Sequence, residues 1–142
     1  MLTVNLGGTC NNDDWRESLI ELLNPNVKYF NPVVKNWKYT ELTKKEKKER
    51  MQSSDILLYV ITPKQTGFSA IASAVDYSNK VPDKLVFCVL YEHNGMRIKG
   101  HMLESIKSVE DIINSNGCLT FNNLTDVANY LNNMSKIKNW IH

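Results

Sequence analysis

Ser69, Ser73 and Asp76 stand at i, i+4 and i+7 of a stretch with helical periodicity, so they share one helix face. Two hydroxyls and a carboxylate on one face can hydrogen-bond a polar ligand, and the carboxylate can carry or receive a proton. Ala70, Ile71, Ala74 and Val75 take the opposite, packing face. A second cluster, Gly7-Gly8-Thr9-Cys10-Asn11, follows the apolar run that ends at Leu6. Paired glycines there let the backbone turn sharply and approach a ligand closely, or simply make a tight strand-to-helix turn. Thr9 and Asn11 could hydrogen-bond a sugar or phosphate, and Asn11 could equally be a helix cap. Arg16 falls in the first turns of the following helix, suited either to a bidentate phosphate contact or to a surface salt bridge. Cys10 has no histidine near it in sequence, which argues against a nucleophilic role.

These residues need elements to position them. Asp55 opens Asp55-Ile-Leu-Leu-Tyr-Val-Ile61, an apolar run that reads as a strand buried on both faces. Thr62-Pro63 ends it, Gly67 lies in the turn that follows, and the Ser69 helix runs to about Asn79. Strands are also expected at 2–6, 27–33, 84–90 and 117–121, helices at 14–23, 40–53 and 124–134, and one or two helices over 101–114. Asn31, near the end of the second strand, falls on the same edge as Gly7-Gly8 if the sheet is parallel. Residues 91–95 read as a loop. The helix at 40–53 alternates acids and bases, which favours a solvated face with i,i+4 pairs over a phosphate-binding patch. The alternation of strands and helices predicts an α/β fold: one doubly wound, mainly parallel five-stranded sheet with helices on both faces, flavodoxin-like or Rossmann-like. In such sheets ligands bind outside the carboxyl ends of the strands.

A chain of 142 residues, 42% hydrophobic and 23% charged, is expected to form a single globular domain over 1–142. A net charge of +2 gives no ground for nucleic-acid or membrane binding. No apolar run approaches the roughly 18 residues of a membrane span, and MLTVNLGG lacks the basic start of a signal peptide. Three cysteines without metal-ligand spacing point to free thiols and a cytoplasmic setting. His93, His101 and His142 suggest no shared site.

Taken together, LGGTCNNDDWRESLIELL, YFNPVV followed by Trp37, SDILLYVITP, and AVDYSNK followed by KLVFCVL resemble the nucleoside 2-deoxyribosyltransferase-like family, over roughly residues 3 to 134. The resemblance implies chemistry at the N-glycosidic bond of a nucleoside or deoxynucleotide, with the sugar passed to another base or to water. Breaking that bond gives the sugar oxocarbenium character, so a carboxylate is wanted beneath the anomeric carbon. In the family it is a glutamate in the helix after the third strand. Counted from Gly67, that position here is Ser73, and no glutamate occurs between residues 51 and 91. The resemblance leaves Asp55, Asp76 and Ser73 as catalytic candidates, Asp76 being an acid that could reach the pocket by a different geometry. It gives Gly7, Gly8, Thr9, Asn11, Arg16, Asn31, Gly67 and Ser69 as substrate-binding candidates.

No metal and no cofactor are expected. The expected partner is a small-molecule nucleoside or nucleotide, and a homo-oligomer is implied in which Asn122-Asn123 could serve a neighbouring subunit's pocket. The functional expectation is a protein that binds such a ligand and cleaves or transfers at its N-glycosidic bond. The alternative is a binding protein that sequesters a nucleotide or signal, having lost the glutamate. A third possibility is a partner-binding domain that uses the charged helix 40–53.

Overall fold

The computed structural model describes residues 1–10, 12–31 and 38–141. Five parallel strands form the main sheet: β1 (Leu2–Gly8), β2 (Val27–Phe30), β3 (Ile56–Ile61), β4 (Leu85–Val89) and, after a hairpin numbered below, β7 (Leu119–Phe121). Their order across the sheet is β2-β1-β3-β4-β7, the doubly wound flavodoxin-like arrangement, whose switch point lies between β1 and β3. The helices are α1 (Trp15–Leu22), α2 (Glu41–Ser53), α3 (Ser69–Lys80), α4 (His101–Ser115) and α5 (Leu124–Ile141).

Strand alternation divides the core in two. Val4 and Leu6 of β1 and Leu58 and Val60 of β3 pack with Trp15 and Leu19 of α1 and Val127 and Leu131 of α5. On the other face, Leu57, Tyr59 and Ile61 of β3 and Phe87 of β4 pack with Met51 of α2, Ala74 of α3 and Ile106 and Ile113 of α4. Every residue of β3 and β4 is buried, as strands covered on both faces require.

Two expectations are corrected. Residues 91–95 do not form a plain loop: Glu92–His93 (β5) pairs with Met96–Arg97 (β6) in an antiparallel hairpin. Its turn residues Asn94 and Gly95 both have positive φ, 52° and 78°, the backbone an Asn-Gly hairpin turn demands. The last helix runs on to Ile141 rather than ending near 134. Its extension has a local anchor: the Lys138 ammonium donates to the Asp55 carboxylate at 2.7 Å. Among the described residues no helix is long and apolar enough to cross a membrane.

Candidate functional site

At the β1–β3 switch point the two glycines do different work. Gly8 has φ +117°, and a Cβ there would lie 2.0 Å from the Val60 carbonyl oxygen. Only glycine lets β1 finish this close to β3. Gly7 has ordinary backbone, but a Cβ on it would meet the Tyr59 ring at 3.0 Å. The Tyr59 ring occupies the space a side chain at Gly7 would need, and on this face, covered by α2 and α3, lies a cavity of about 320 Å³. Asn5, Gly7 and Tyr59 form its floor, with Gly8, Cys10 and Arg16 along one side. Thr43, Glu46, Lys47, Arg50 and Met51 of α2 make one wall, and Ser69 and Ala70 of α3 the other.

Helix α2 therefore has a role that its charge pattern hid. It begins at a capping box: the Thr40 hydroxyl accepts from the Thr43 N–H at 3.2 Å, and the Thr43 hydroxyl accepts from the Thr40 N–H at 2.9 Å. Met51 is its one buried residue. Among the described residues no ion pair forms within α2. Thr43, Glu46, Lys47 and Arg50 share one face at helical spacing and turn it to the cavity. Glu46 is the carboxylate among the lining residues, and the sequence analysis did not single it out.

The candidate residues fall into three groups. Gly7, Gly8, Arg16 and Ser69 are brought together around the cavity. Arg16, only 3% exposed, is largely committed to the fold. Its Nε donates to the Leu6 carbonyl at 3.1 Å and its Nη1 to the Thr9 carbonyl at 2.8 Å. Its Nη2 reaches Cys10 Sγ at 3.6 Å, and the guanidinium stacks over the Trp15 ring. Burial lowers its pKa from the ordinary value, with Cys10 acting the other way.

A second group is local. Thr9 is buried and ties the two strand ends together, its hydroxyl donating to Gln65 Oε1 at 2.7 Å and accepting from the Thr62 N–H at 3.0 Å. Gly67 is exposed, without positive φ and with open space around it; its carbonyl accepts from Gln65 Nε2. Ser73 is half-buried on α3 beside Tyr59. The Tyr59 hydroxyl has no hydrogen bond of standard geometry among the described residues. Burial pushes its pKa up to about 12, and the Ser73 hydroxyl offsets part of that.

A third group lies apart from the cavity lining. Asp76 is exposed and pairs with Lys80 at 2.8 Å. Asp55 precedes β3 at the amino edge of the sheet, where its carboxylate also accepts from the Thr3 N–H at 2.8 Å. Burial raises its pKa, but the Lys138 and Thr3 hydrogen bonds outweigh that and hold it below the ordinary value. Thr3 lies two strand residues before Asn5 and five before Gly8, which puts Asp55 roughly 7 Å from the nearest lining residue of β1, on its amino side, at about 3.3 Å per residue. Asn31 is exposed at the end of β2. Asn11 and Trp37 lie outside the described residues.

His93, isolated in sequence, is carried by the β5–β6 hairpin onto the start of α1. Its Nε2 lies 3.2 Å from Asp13 and 2.9 Å from Asp14. These three groups lie close enough together to hold a metal ion. Each is already used structurally: Asp13 accepts from the Trp15 N–H and the Thr62 hydroxyl, and Asp14 from Asn94. The Asn94 and His93 hydrogen bonds lower the Asp14 pKa.

A family model described as "Nucleoside 2-deoxyribosyltransferase like" matches residues 2–91, from β1 through the end of β4. No curated protein and no solved structure matches the chain.

Proposed function

The chain belongs to the nucleoside 2-deoxyribosyltransferase-like family, and from that premise we propose that the cavity between α2 and α3 binds a nucleoside or nucleotide and holds it uncleaved. The observation that carries this reading is the chemistry of the two walls. On α3 the position expected to hold a glutamate is Ser73, and the nearest acid on that helix, Asp76, faces solvent and Lys80. A serine without a base partner is not ionised near neutral pH and cannot replace a carboxylate beneath a developing oxocarbenium ion. Asp55 is held at the other edge of the sheet by Lys138. What remains is a mainly apolar cavity with two cations, Lys47 and Arg50, on its α2 wall, suited to a ligand with a flat apolar body and an anionic end.

One observation favours a second reading. Glu46 lines the cavity from α2, and cleavage of the N-glycosidic bond, if it occurs, would run through this carboxylate. Two variants separate the readings. Ser73→Glu restores an acid at the expected position and should create or raise release of free base in a protein that remains folded. Glu46→Gln should leave the wild type's behaviour unchanged under the first reading and abolish base release under the second.

The proposal extends to a single domain, a cytoplasmic protein and a homo-oligomer. Leu42 and Phe68, 66% and 82% exposed, adjoin the lining residues Thr43 and Ser69, and a second copy covering them would close the cavity mouth. Light scattering tests this directly.

A further inference from the structure

Asn5 is the polar residue of a strand otherwise made for burial. It is 5% exposed, between Val4 and Leu6, which are fully buried. Those neighbours point into the α1–α5 core, so Asn5 points to the opposite face with Gly7, level with Leu57 and Tyr59 in the register. There it lines the cavity, and among the described residues its carboxamide has no protein hydrogen-bond partner and opens onto the cavity rather than being sealed in the core. A carboxamide that the protein leaves unbonded, with its donor and acceptor facing a cavity, is free to pair with a group seated there.

The surroundings define that partner. Tyr59 stands beside it, nearly fully buried, its hydroxyl also without a well-formed hydrogen bond. No charged side chain accompanies them on the floor: Glu46 and Lys47 are exposed and Arg50 half-buried on α2, while Arg16 already donates to two carbonyls. The inner end of a ligand is therefore met by neutral groups and the outer end by charged ones. A carboxamide offers a donor and an acceptor in one plane, and it is satisfied by a flat group presenting the complementary pair.

We propose that Asn5 is the specificity-determining residue of this cavity, reading the amide-like edge (an adjacent C=O acceptor and N–H donor) of an uncharged heterocyclic base. This inference rests on the nucleoside reading above and goes beyond it, because it names the group that is read and the residue that reads it.

Paired ligands that differ only at that edge test it: inosine against purine riboside, and uridine against its analogue lacking the 4-oxo group. Binding is measured by calorimetry on wild type, Asn5→Leu and Asn5→Asp, each checked for native circular dichroism. Wild type should prefer the amide-bearing member of at least one pair by tenfold or more, and both variants should lose the preference. Asn5→Asp keeps the side chain's size while removing its donors, so its result stands if the leucine variant fails to fold. Equal binding of both members by wild type, or a preference that survives in the variants, overturns the role of Asn5 and leaves the nucleoside reading intact. Binding of no nucleoside by folded wild type overturns both.

Discussion

Gly7 and Tyr59 are level in the β1–β3 register, and a Cβ on Gly7 would lie 3.0 Å from Cε1 and 3.1 Å from Cδ1 of the Tyr59 ring. The cavity floor depends on this pairing of a missing side chain with a large one. Gly7→Ala should push the ring toward the cavity, costing about 1–3 kcal/mol of stability and weakening ligand binding at least tenfold. Gly8→Ala meets backbone at 2.0 Å in a positive-φ conformation, where nothing can yield. It should destabilise the fold much more than Gly7→Ala. Urea denaturation of both variants checks the order, and the reverse order would remove the distinction between a glycine that makes space and one that closes a turn.

Cys10 is exposed on the cavity side, whereas Cys88 and Cys118 are buried, and burial raises the pKa of both buried thiols. Native protein should therefore alkylate fast at Cys10 alone, and a ligand seated in the cavity should slow that reaction. Mass spectrometry of iodoacetamide-treated protein with and without ligand reads both effects. Unchanged labelling of Cys10 at saturating ligand would place the ligand elsewhere.

Asp55 and Lys138 join β3 to the last turns of α5. The folded-state pKa of Asp55 is lowered, so its contribution to stability is present above the unfolded value near 3.8 and is lost as pH falls through the folded value. The pair is partly solvated, and Asp55→Asn should cost about 1 kcal/mol or less at pH 7. The difference from wild type should vanish in strong acid, below the folded pKa. Denaturation at the two pH values measures it. Ligand affinity should be untouched, and a loss of affinity would contradict the placement of Asp55 away from the cavity.

Arg50 and Lys47 form the cationic wall. Arg50→Ala should weaken a nucleoside 5′-monophosphate several-fold while changing the parent nucleoside little, and added salt should shrink the difference. Calorimetry at two ionic strengths is the check. Equal losses for both ligands would mean that Arg50 supports the wall rather than the anion.

Much of the frame was legible because it rests on local rules. The unbroken apolar runs of β3 and β4 read directly as central parallel strands, and Gly7-Gly8 marked the sharp turn at the end of β1. Asn94-Gly95 is a hairpin-turn dipeptide, but the segments it joins are only two residues each, too short to show strand alternation. The site was harder to read. Asp55 stood out by its place beside a central strand, but because it opens that strand it lies at the amino edge, away from the carboxyl ends where such sheets bind ligands, and the hydrogen bond from Thr3 holds it there. Glu46 was hidden because an alternating charge pattern looks the same whether a helix faces solvent or a cavity. Asn5 was hidden within a strand called by its neighbours, since period-two alternation shows which face a residue takes and not what that face encloses.

The most direct test incubates purified protein with pooled nucleosides and 5′-monophosphates, then follows free base and protein-retained ligand by mass spectrometry. A ligand carried down intact and released on heating, with no free base above a no-protein control, is the predicted result. Free base accumulating with turnover, abolished by Glu46→Gln, would contradict the account and make the cavity a working N-glycosidase site.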